Sequence, residues 1–213
     1  MPPTAADIEQ GVAHLRAADP VLAGVIDRVG PENLGDLRRG RPRDHYAILV
    51  RAIVGQQLST RAAQAIYDRL LARYGGRLPT PDEVLAEDPD ELKVAAGLSR
   101  AKVASLRSLA EHILDGSLKL STLARLPDDE VMAKLTAVKG IGPWSARMFL
   151  IFHLQRPDVL AAGDLGIHRA VREAYGLEGL PTVKELEALA EPWRPYRTLA
   201  SLFLWRSLDA TPV

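Results

Sequence analysis

The sequence predicts an all-α protein made of two helical lobes with a cleft between them, and three observations support this fold class. Ala, Leu, Arg and Glu, which favour helices, dominate the 213 residues. Apolar residues recur at helical spacing, and runs that alternate apolar and polar residues are absent. Capping side chains, prolines and glycines separate the apolar segments, which predicts a succession of helices with short connections.

In the first half of the chain, N-cap side chains mark the starts of predicted helices. Thr4 or Asp7 caps the first helix, and Ser59 and Ser99 cap two later ones. The predicted helices span about residues 4–17, 20–29, 44–55, 59–73 and 99–115, with two short helices within 81–96. The basic stretch Arg38–Arg43 is predicted to be a loop.

In the second half, prolines mark helix starts because a proline in the first turn loses no hydrogen bond. Pro127 is followed by three carboxylates, which suit the positive end of a helix dipole. The predicted helices span about residues 127–137, 143–154, 165–175, 183–191 and 195–208, and residues 155–163 form a loop.

The composition excludes several classes of protein. A hydrophobic fraction of 47% and a charged fraction of 25% exclude a largely disordered chain. No apolar run approaches the roughly 18 residues of a membrane span, and the N-terminal segment does not have the pattern of a signal peptide. The chain has no cysteine, which excludes disulfides, a cysteine nucleophile and Cys-ligated metal clusters.

The charges cancel overall but are unevenly distributed. The 27 basic and 27 acidic residues leave no global basic signature for nucleic acid. From Val131 to Arg172, however, six basic residues face two acidic ones, whereas six acidic residues accompany one lysine from Thr80 to Ala95. This pattern fits a basic binding face, and it equally fits a chance excess on solvated helices.

A glycine-rich segment between two predicted helices is the most informative part of the chain. It reads Lys139-Gly140-Ile141-Gly142-Pro143. Two glycines around one aliphatic residue allow a tight turn with positive φ, and Ile141 would anchor that turn in the core. Backbone N–H groups near the start of the Pro143 helix would then suit an anion such as a DNA phosphate. A plain turn between packed helices is the alternative.

Asp164 follows Gly142 by 22 residues, after a glycine turn and directly before a predicted helix. By itself this aspartate is most simply an N-cap. Together, the hairpin and the aspartate resemble the helix–hairpin–helix (HhH-GPD) DNA glycosylase superfamily. The order of the segments 139–146 and 161–168 resembles its AlkA-like branch, the 3-methyladenine DNA glycosylases of type II.

Three further segments resemble the same branch, and the resemblance covers about Ala47 to Leu208. They are Ile53–Ser59, Leu98–Lys102 followed by Leu109-Ala110, and Trp193–Arg197 continuing through Trp205. The lack of cysteine excludes the iron–sulfur members of the superfamily. Only about 40 residues precede the predicted helix that contains Ala47, and they are predicted to be helical, so we expect no N-terminal β domain like that of larger relatives.

The resemblance implies a monofunctional DNA glycosylase. Such an enzyme flips an alkylated purine (3-methyladenine or 7-methylguanine type) out of duplex DNA and hydrolyses its N-glycosidic bond. The product is an abasic site, which initiates base excision repair. The lyase-type members carry a lysine where this chain has Trp144, so no strand cleavage is expected. Two alternatives are a non-catalytic helix–hairpin–helix DNA-binding protein, and a glycosylase for uracil or deaminated purines.

The resemblance also assigns candidate site residues, with Asp164 as the catalytic carboxylate. The candidate base pocket consists of Trp144, Trp205, Met148 and Leu165. The candidate DNA-binding residues are Gln56, Gln57, Ser59, Lys139, Gly140, Ile141, Gly142 and His168. Gln57 stands where a side chain fills the gap left by the flipped base, and His168 is either a phosphate contact or a structural one.

The resemblance also implies which ligands the protein binds and how its lobes are arranged. No catalytic cofactor is implied, but the backbone carbonyls of Thr136, Val138 and Gly140 are candidates to bind a structural Na⁺ or K⁺ ion. The expected partner is double-stranded DNA with alkylated bases, with no membrane and no obligatory protein partner, in the cytoplasm or at a bacterial nucleoid. One glycosylase unit should form two interleaved lobes, about 43–150 with the hairpin at 138–142, and 1–42 plus 151–213, with the active-site cleft between them.

Overall fold

The structure is a computed structural model that describes residues 4–34 and 44–209. Every regular element in these residues is a helix, which confirms the predicted all-α class. The α-helices are α1 (Ala5–Ala18), α2 (Pro20–Val29), α3 (His45–Gly55), α4 (Thr60–Arg73), α5 (Pro81–Ala86), α6 (Pro89–Ala96), α7 (Arg100–Leu114), α8 (Asp128–Ala137), α9 (Pro143–Met148), α10 (Leu165–Tyr175), α11 (Val183–Leu189) and α12 (Arg197–Asp209). The predicted loop Arg38–Arg43 lies outside the described residues.

The capping side chains explain why most of these helices begin where the sequence predicts. Thr4 and Asp7 form a capping box on α1, so the two residues act together rather than as alternatives. Ser59 and Ser99 cap α4 and α7 by accepting backbone N–H groups of the first turn. Pro127 precedes α8 as its N-cap residue, one position earlier than a first-turn proline.

Three helix boundaries differ from the prediction by two residues or more, namely the ends of α9 and α11 and the start of α12. The helix that begins at Pro143 does not continue as an α-helix to residue 154, because Phe149–Leu154 forms a π-helix. The run from 149 to 152 is entirely apolar, so its pattern cannot distinguish the two helix types. The chain after α11 forms a 3₁₀ turn at Glu191–Trp193, and α12 begins only at Arg197 because the Tyr196 N–H closes a turn on the Trp193 carbonyl.

The described chain divides into two compact units. The first, the discontinuous unit, consists of residues 4–34 and 150–209. In it α12 packs against α1, α2 and α10 and is buried along most of its length. Two side-chain hydrogen bonds connect distant parts of the chain in this core. The buried carboxylate of Asp19 accepts one from Tyr175 and one, at 2.8 Å, from Trp193 Nε1.

The second unit, the central unit, consists of residues 44–149. In it α7 packs against α3, α5 and α6, and the pair α8 and α9 forms the helical hairpin. Lys102 of α7 donates to the carbonyl of Val54 at 2.7 Å, near the C-terminal end of α3 where a cation is favoured. Within residues 4–34 and 44–209, no helix has both the length and the apolar character needed to cross a membrane.

Candidate functional site

Asp164 is the N-cap of α10, and its carboxylate is held by donors from two helices. Oδ1 accepts a hydrogen bond from the Ile167 backbone N–H at 3.1 Å and from Trp205 Nε1 at 2.8 Å. The residue is half-buried. The capping role that its position predicts is therefore present, but the cap alone does not account for the site, because α12 supplies the second donor.

Gly166 makes the contact between Asp164 and Trp205 possible, a role that was not predicted from the sequence. A Cβ atom on Gly166 would lie 2.9 Å from Asp164 Oδ1 and 3.3 Å from Trp205 Cδ1. A glycine in the first turn of a helix costs stability relative to alanine. Residue 166 has no side chain because the carboxylate of Asp164 and the indole of Trp205 occupy that space. A glycine inside an amphipathic helix was the feature of the sequence that could have indicated this close packing.

The indole of Trp205 has two contacts that fix its plane. Besides donating to Asp164, it stacks on Phe152 with ring centroids 5.7 Å apart and an interplanar angle of 23°. The resemblance assigns Trp205 to the base pocket, and the structure shows its indole donating to the candidate catalytic carboxylate. Leu165, the neighbour of Asp164, is 54% exposed.

The loop that leads to Asp164 is anchored on the start of α12. The hydroxyl of Thr198 accepts the Val159 N–H at 3.0 Å, and Arg197 Nε donates to the Asp158 carboxylate at 2.6 Å. These bonds order a segment that has no regular structure of its own. Asp164 consequently follows a segment that is bonded to the start of α12 at two points.

His168 lies one turn after Asp164, and both of its ring nitrogens contact backbone carbonyl oxygens. Nδ1 is 2.6 Å from the Pro181 oxygen, and Nε2 is 2.7 Å from the Ala162 oxygen. In this arrangement the ring has no N–H left to donate to a DNA phosphate. Of the two roles that the sequence left open for His168, the geometry favours the structural one.

The hairpin of the central unit depends on one glycine, not two. Gly140 has φ +84°, and a Cβ atom there would lie 2.1 Å from Ser105 Oγ. Gly142 has φ −88°, which any residue can adopt, and no atom lies within 4 Å of its would-be Cβ. The expected turn with positive φ is therefore present, and Gly140 is the glycine that adopts it. The missing side chain of Gly142 leaves open space on the surface instead.

The remaining hairpin residues divide between the core and the surface. Ile141 is 4% exposed, and its N–H donates to the Val138 carbonyl at 3.0 Å, so it anchors the turn and its amide is already bonded. Lys139 and Gly140 are exposed. The Lys139 N–H donates to Ser108 Oγ at 3.1 Å. Ser108 thus fastens the hairpin to α7, a function that the sequence analysis did not find.

The turn between α3 and α4 is linked to the hairpin by a side chain. Gln56 Nε2 donates to the Gly140 carbonyl at 2.8 Å. Gln57 is exposed and has φ +57°, in a turn closed by the Leu58 N–H on the Gly55 carbonyl. That left-handed position usually holds glycine or asparagine, so Gln57 is kept there at a conformational cost.

The other candidates lie on α9 and at the start of α4, in the central unit. Trp144, in the first turn of α9, is 50% exposed, and Met148 at the end of α9 is half-buried. Ser59 accepts the Ala62 N–H at 3.3 Å as the cap of α4, so its hydroxyl has a structural role. In the part of the chain that the structure describes, no three His, Asp or Glu side chains are grouped to hold a metal ion.

Residues 50–195 match the sequence profile of the HhH-GPD superfamily of base excision DNA repair proteins. The chain belongs to the HhH-GPD superfamily. This membership confirms the resemblance that the hairpin and Asp164 carried. It also agrees with the all-helical architecture, because solved members of the superfamily superimpose on this fold.

Among superfamily relatives, the DNA-3-methyladenine glycosylase 1 of Schizosaccharomyces pombe is 36% identical over 91% of this chain and 85% of its own length. A structure of the 3-methyladenine DNA glycosylase of that organism in complex with abasic DNA has a TM-score of 0.75 at 34% identity, covering 92% of this chain and 95% of that one. A DNA-3-methyladenine glycosidase structure from Bacillus halodurans has a TM-score of 0.77 at 36% identity, covering 92% and 87%.

Proposed function

We propose that this protein is a monofunctional DNA glycosylase that removes alkylated purines, of the 3-methyladenine and 7-methylguanine type, from duplex DNA in base excision repair. The observation that carries the proposal is the carboxylate of Asp164, fixed by Ile167 and Trp205 in a chain of the HhH-GPD superfamily. The similarity to DNA-3-methyladenine glycosylases over most of the chain supports the substrate class.

The proposed chemistry is hydrolysis at C1′ of the damaged nucleotide. The bond between C1′ and the purine N9 breaks, its electron pair goes to the base, and the oxygen of water bonds to C1′ while a proton is released. Positive charge builds on the sugar in such a transition state, as in glycoside hydrolysis. A carboxylate held in one orientation stabilises that charge without having to reorganise, and in this proposal it also accepts the proton of the water.

The alkylated base is itself a good leaving group, so the enzyme needs to provide less catalytic assistance to its departure. A purine methylated at N3 or N7 is already cationic, so it leaves as a neutral base and needs little help from a general acid. Electron-rich aromatic faces attract such a ring. We therefore assign base recognition to the aromatic faces of Trp144 and Trp205, and apolar contact with the base to Met148 and Leu165.

DNA binding is assigned to the hairpin and to the turn at Gln56 and Gln57. The open surface beside Gly142 allows a phosphate to approach the backbone closely, and the exposed Lys139 adds positive charge. Gln57, exposed at a strained turn, is assigned to the gap that a flipped base leaves in the stack.

A monovalent cation at the hairpin is part of the proposal. The carbonyl of Val138 accepts the Ile141 N–H, and that of Gly140 accepts Gln56 Nε2. A carbonyl oxygen has two lone pairs, so each oxygen retains capacity for a Na⁺ or K⁺ ion, with the carbonyl of Thr136 as the third candidate. Such an ion would add positive charge next to the phosphate.

The test compares wild-type protein with Asp164→Asn on methylated duplex DNA. Free bases are separated and identified, and strand integrity is checked before any alkali treatment. We expect release of methylpurines from intact strands by the wild type, and a rate at least about 100-fold lower for the variant with similar DNA affinity. Release by Asp164→Asn at the wild-type rate would refute the assignment of Asp164.

Two other outcomes separate the alternatives. If the wild type binds lesion-containing DNA but releases no base from methylated, uracil-containing or deaminated substrates, the protein is a binder rather than an enzyme. If it releases uracil or hypoxanthine but no methylpurine, the substrate class proposed here is wrong.

A further inference from the structure

The imidazole of His168 contacts two acceptors that cannot both be satisfied by a neutral ring. Its nitrogens lie 2.6 Å and 2.7 Å from the carbonyl oxygens of Pro181 and Ala162. A carbonyl oxygen only accepts hydrogen bonds, and a neutral imidazole carries one N–H. One of the two contacts would then place a nitrogen lone pair against an oxygen lone pair.

A ring with hydrogen on both nitrogens removes that conflict. The imidazolium donates in both directions, and charge-assisted bonds of this kind are characteristically short, as these two are. The ring is half-buried on the first turns of α10, and its two partners are backbone atoms that cannot rotate away. The geometry therefore indicates a cation held between two main-chain dipoles.

One of the two carbonyls, that of Ala162, belongs to the turn that immediately precedes Asp164. The Asp164 N–H donates to the Ala161 carbonyl at 2.9 Å, so residues 161–164 form a closed turn with Ala162 and Gly163 at its centre. The bond from His168 Nε2 fixes the peptide plane at that centre. The other bond, from Nδ1, fixes the ring itself by tying it to Pro181 on the segment before α11.

We propose that His168 is a positioning residue for Asp164, and that it acts as a doubly donating imidazolium that locks the Ala162 peptide. The inference rests on the proposed function and deepens it. The carboxylate is then oriented from two sides, because Trp205 and Ile167 hold its oxygen while His168 holds the backbone from which its side chain projects. His168 itself makes no contact with the substrate in this proposal.

Two amide substitutions separate this positioning role from a purely structural one. The amide nitrogen of Gln occupies a position close to that of Nε2, so His168→Gln keeps a donor for Ala162 and loses the one for Pro181. The amide nitrogen of Asn occupies a position close to that of Nδ1, so His168→Asn does the reverse. Each variant loses one hydrogen bond and should lose a similar amount of stability.

The measurement is the single-turnover rate of 7-methylguanine release, with the midpoint of urea unfolding and the affinity for abasic duplex DNA as companions. We expect His168→Asn to excise about tenfold more slowly than wild type and His168→Gln no more than about threefold more slowly. The unfolding midpoints of the two variants should be alike, and their DNA affinities close to that of wild type. Equal excision rates in the two variants would overturn the proposal.

The protonation of the ring is tested separately on the wild-type protein, by ¹⁵N-resolved NMR of the histidine side chains. The spectrum is recorded at the pH of the assay, and the His168 signals are assigned by their loss in the two variants. We expect directly bonded hydrogens on both ring nitrogens, and a single N–H would overturn the doubly donating ring. If wild-type protein releases no base, the proposed function fails, whereas an active wild type with equal variants refutes only the role of His168.

Discussion

The hairpin and the carboxylate site lie in different compact units, and they differ in which residues hold them in shape. The hairpin presents main-chain atoms at the surface, and its turn is formed by two residues next to one another in sequence, Gly140 and Ile141. Remote residues such as Ser108 fasten that turn to the rest of the unit. The carboxylate site must hold one side chain still. Its donors and anchors come from α10, α12 and the segment before α11, up to 41 residues from Asp164 in the case of Trp205.

This difference explains why one region is visible in the sequence and the other only in part. A turn that needs positive φ and a buried anchor leaves a short pattern of glycines around an aliphatic residue. A carboxylate held by remote donors leaves no pattern of its own, because the donors are ordinary Trp and His residues far along the chain. Substitutions in the two regions should consequently differ in what they damage.

The largest expected loss of stability is at the hairpin, for Gly140→Ala. The new methyl group would meet Ser105 Oγ at 2.1 Å, and φ would stay at +84°. Strain and overpacking together should cost roughly 2–5 kcal/mol in the free energy of unfolding. Urea unfolding measures the change. Removing the hydroxyl as well, with Ser105→Ala, should restore part of the loss.

Gly142→Ala is the matched control for that substitution. Its Cβ would enter open space at φ −88°, so the free energy of unfolding should stay near the wild-type value. Affinity for abasic duplex DNA should fall instead, about tenfold if a backbone contact to phosphate is blocked. A large stability loss in Gly142→Ala, or none in Gly140→Ala, would contradict the division between the two glycines.

The second prediction concerns the remote donor of the carboxylate site, tested by Trp205→Phe. Phenylalanine keeps an aromatic face for Phe152 and for a base but cannot donate to Asp164. A hydrogen bond to a charged group contributes about 1.5–3 kcal/mol. Because Asp164 is half-buried, we expect the lower end of that range, about a tenfold slower excision rate with DNA affinity retained.

Trp205→Leu provides the control by removing both the donor and the aromatic face. If the donor matters, the Phe variant loses much of what the Leu variant loses in the single-turnover rate. A Phe variant with full activity would show that Trp205 acts only through its ring.

The third prediction concerns a second carboxylate that accepts several hydrogen bonds, that of Asp19, in the same unit as Asp164. Burial alone would raise the pKa of Asp19, but hydrogen bonds from Tyr175, Leu22, Trp193 and Val21 together lower it. Its folded pKa thus lies below its unfolded value of about 3.9. The stability it contributes is fully present above that unfolded value and is lost as the pH falls through the folded pKa.

Asp19→Asn should therefore reduce the free energy of unfolding at neutral pH by about 1–3 kcal/mol, because an amide cannot accept at both positions. It should also flatten the acid side of the stability profile, below about pH 4. Urea unfolding as a function of pH measures both effects. Asp27→Asn on the exposed face of α2 serves as the control, and it should change neither quantity appreciably.

Much of the fold could be predicted because helix ends are local events. A cap such as Thr4 or Ser59 bonds to an N–H within the next three residues, so the residues that define the boundary are adjacent in sequence. Helix type and helix ends were harder to predict where the local sequence is compatible with more than one backbone hydrogen-bond pattern. The π-helix at Phe149–Leu154 follows an apolar run without periodicity, and the late start of α12 depends on the turn that precedes it.

The candidate site was predictable as a set of residues but not as an arrangement. Asp164 and the hairpin were recognisable through order and spacing. Trp205 was assigned to a pocket without any sign that its indole would bond to Asp164, and Gly166 was overlooked. His168 was left between two roles, because nothing in the sequence indicates that carbonyls from residues 162 and 181 meet at one ring.

The sequence by itself determined the helical class, the hairpin turn and the superfamily, since each of these depends on patterns within a few residues or on their order along the chain. The tertiary structure alone decided how Asp164 is held, why residue 166 is a glycine and why only one of the two hairpin glycines is demanded by the fold. The physical reason is that hydrogen bonds and steric exclusion act over a few ångströms in space. Which distant residues come within that range is settled only when the helices pack.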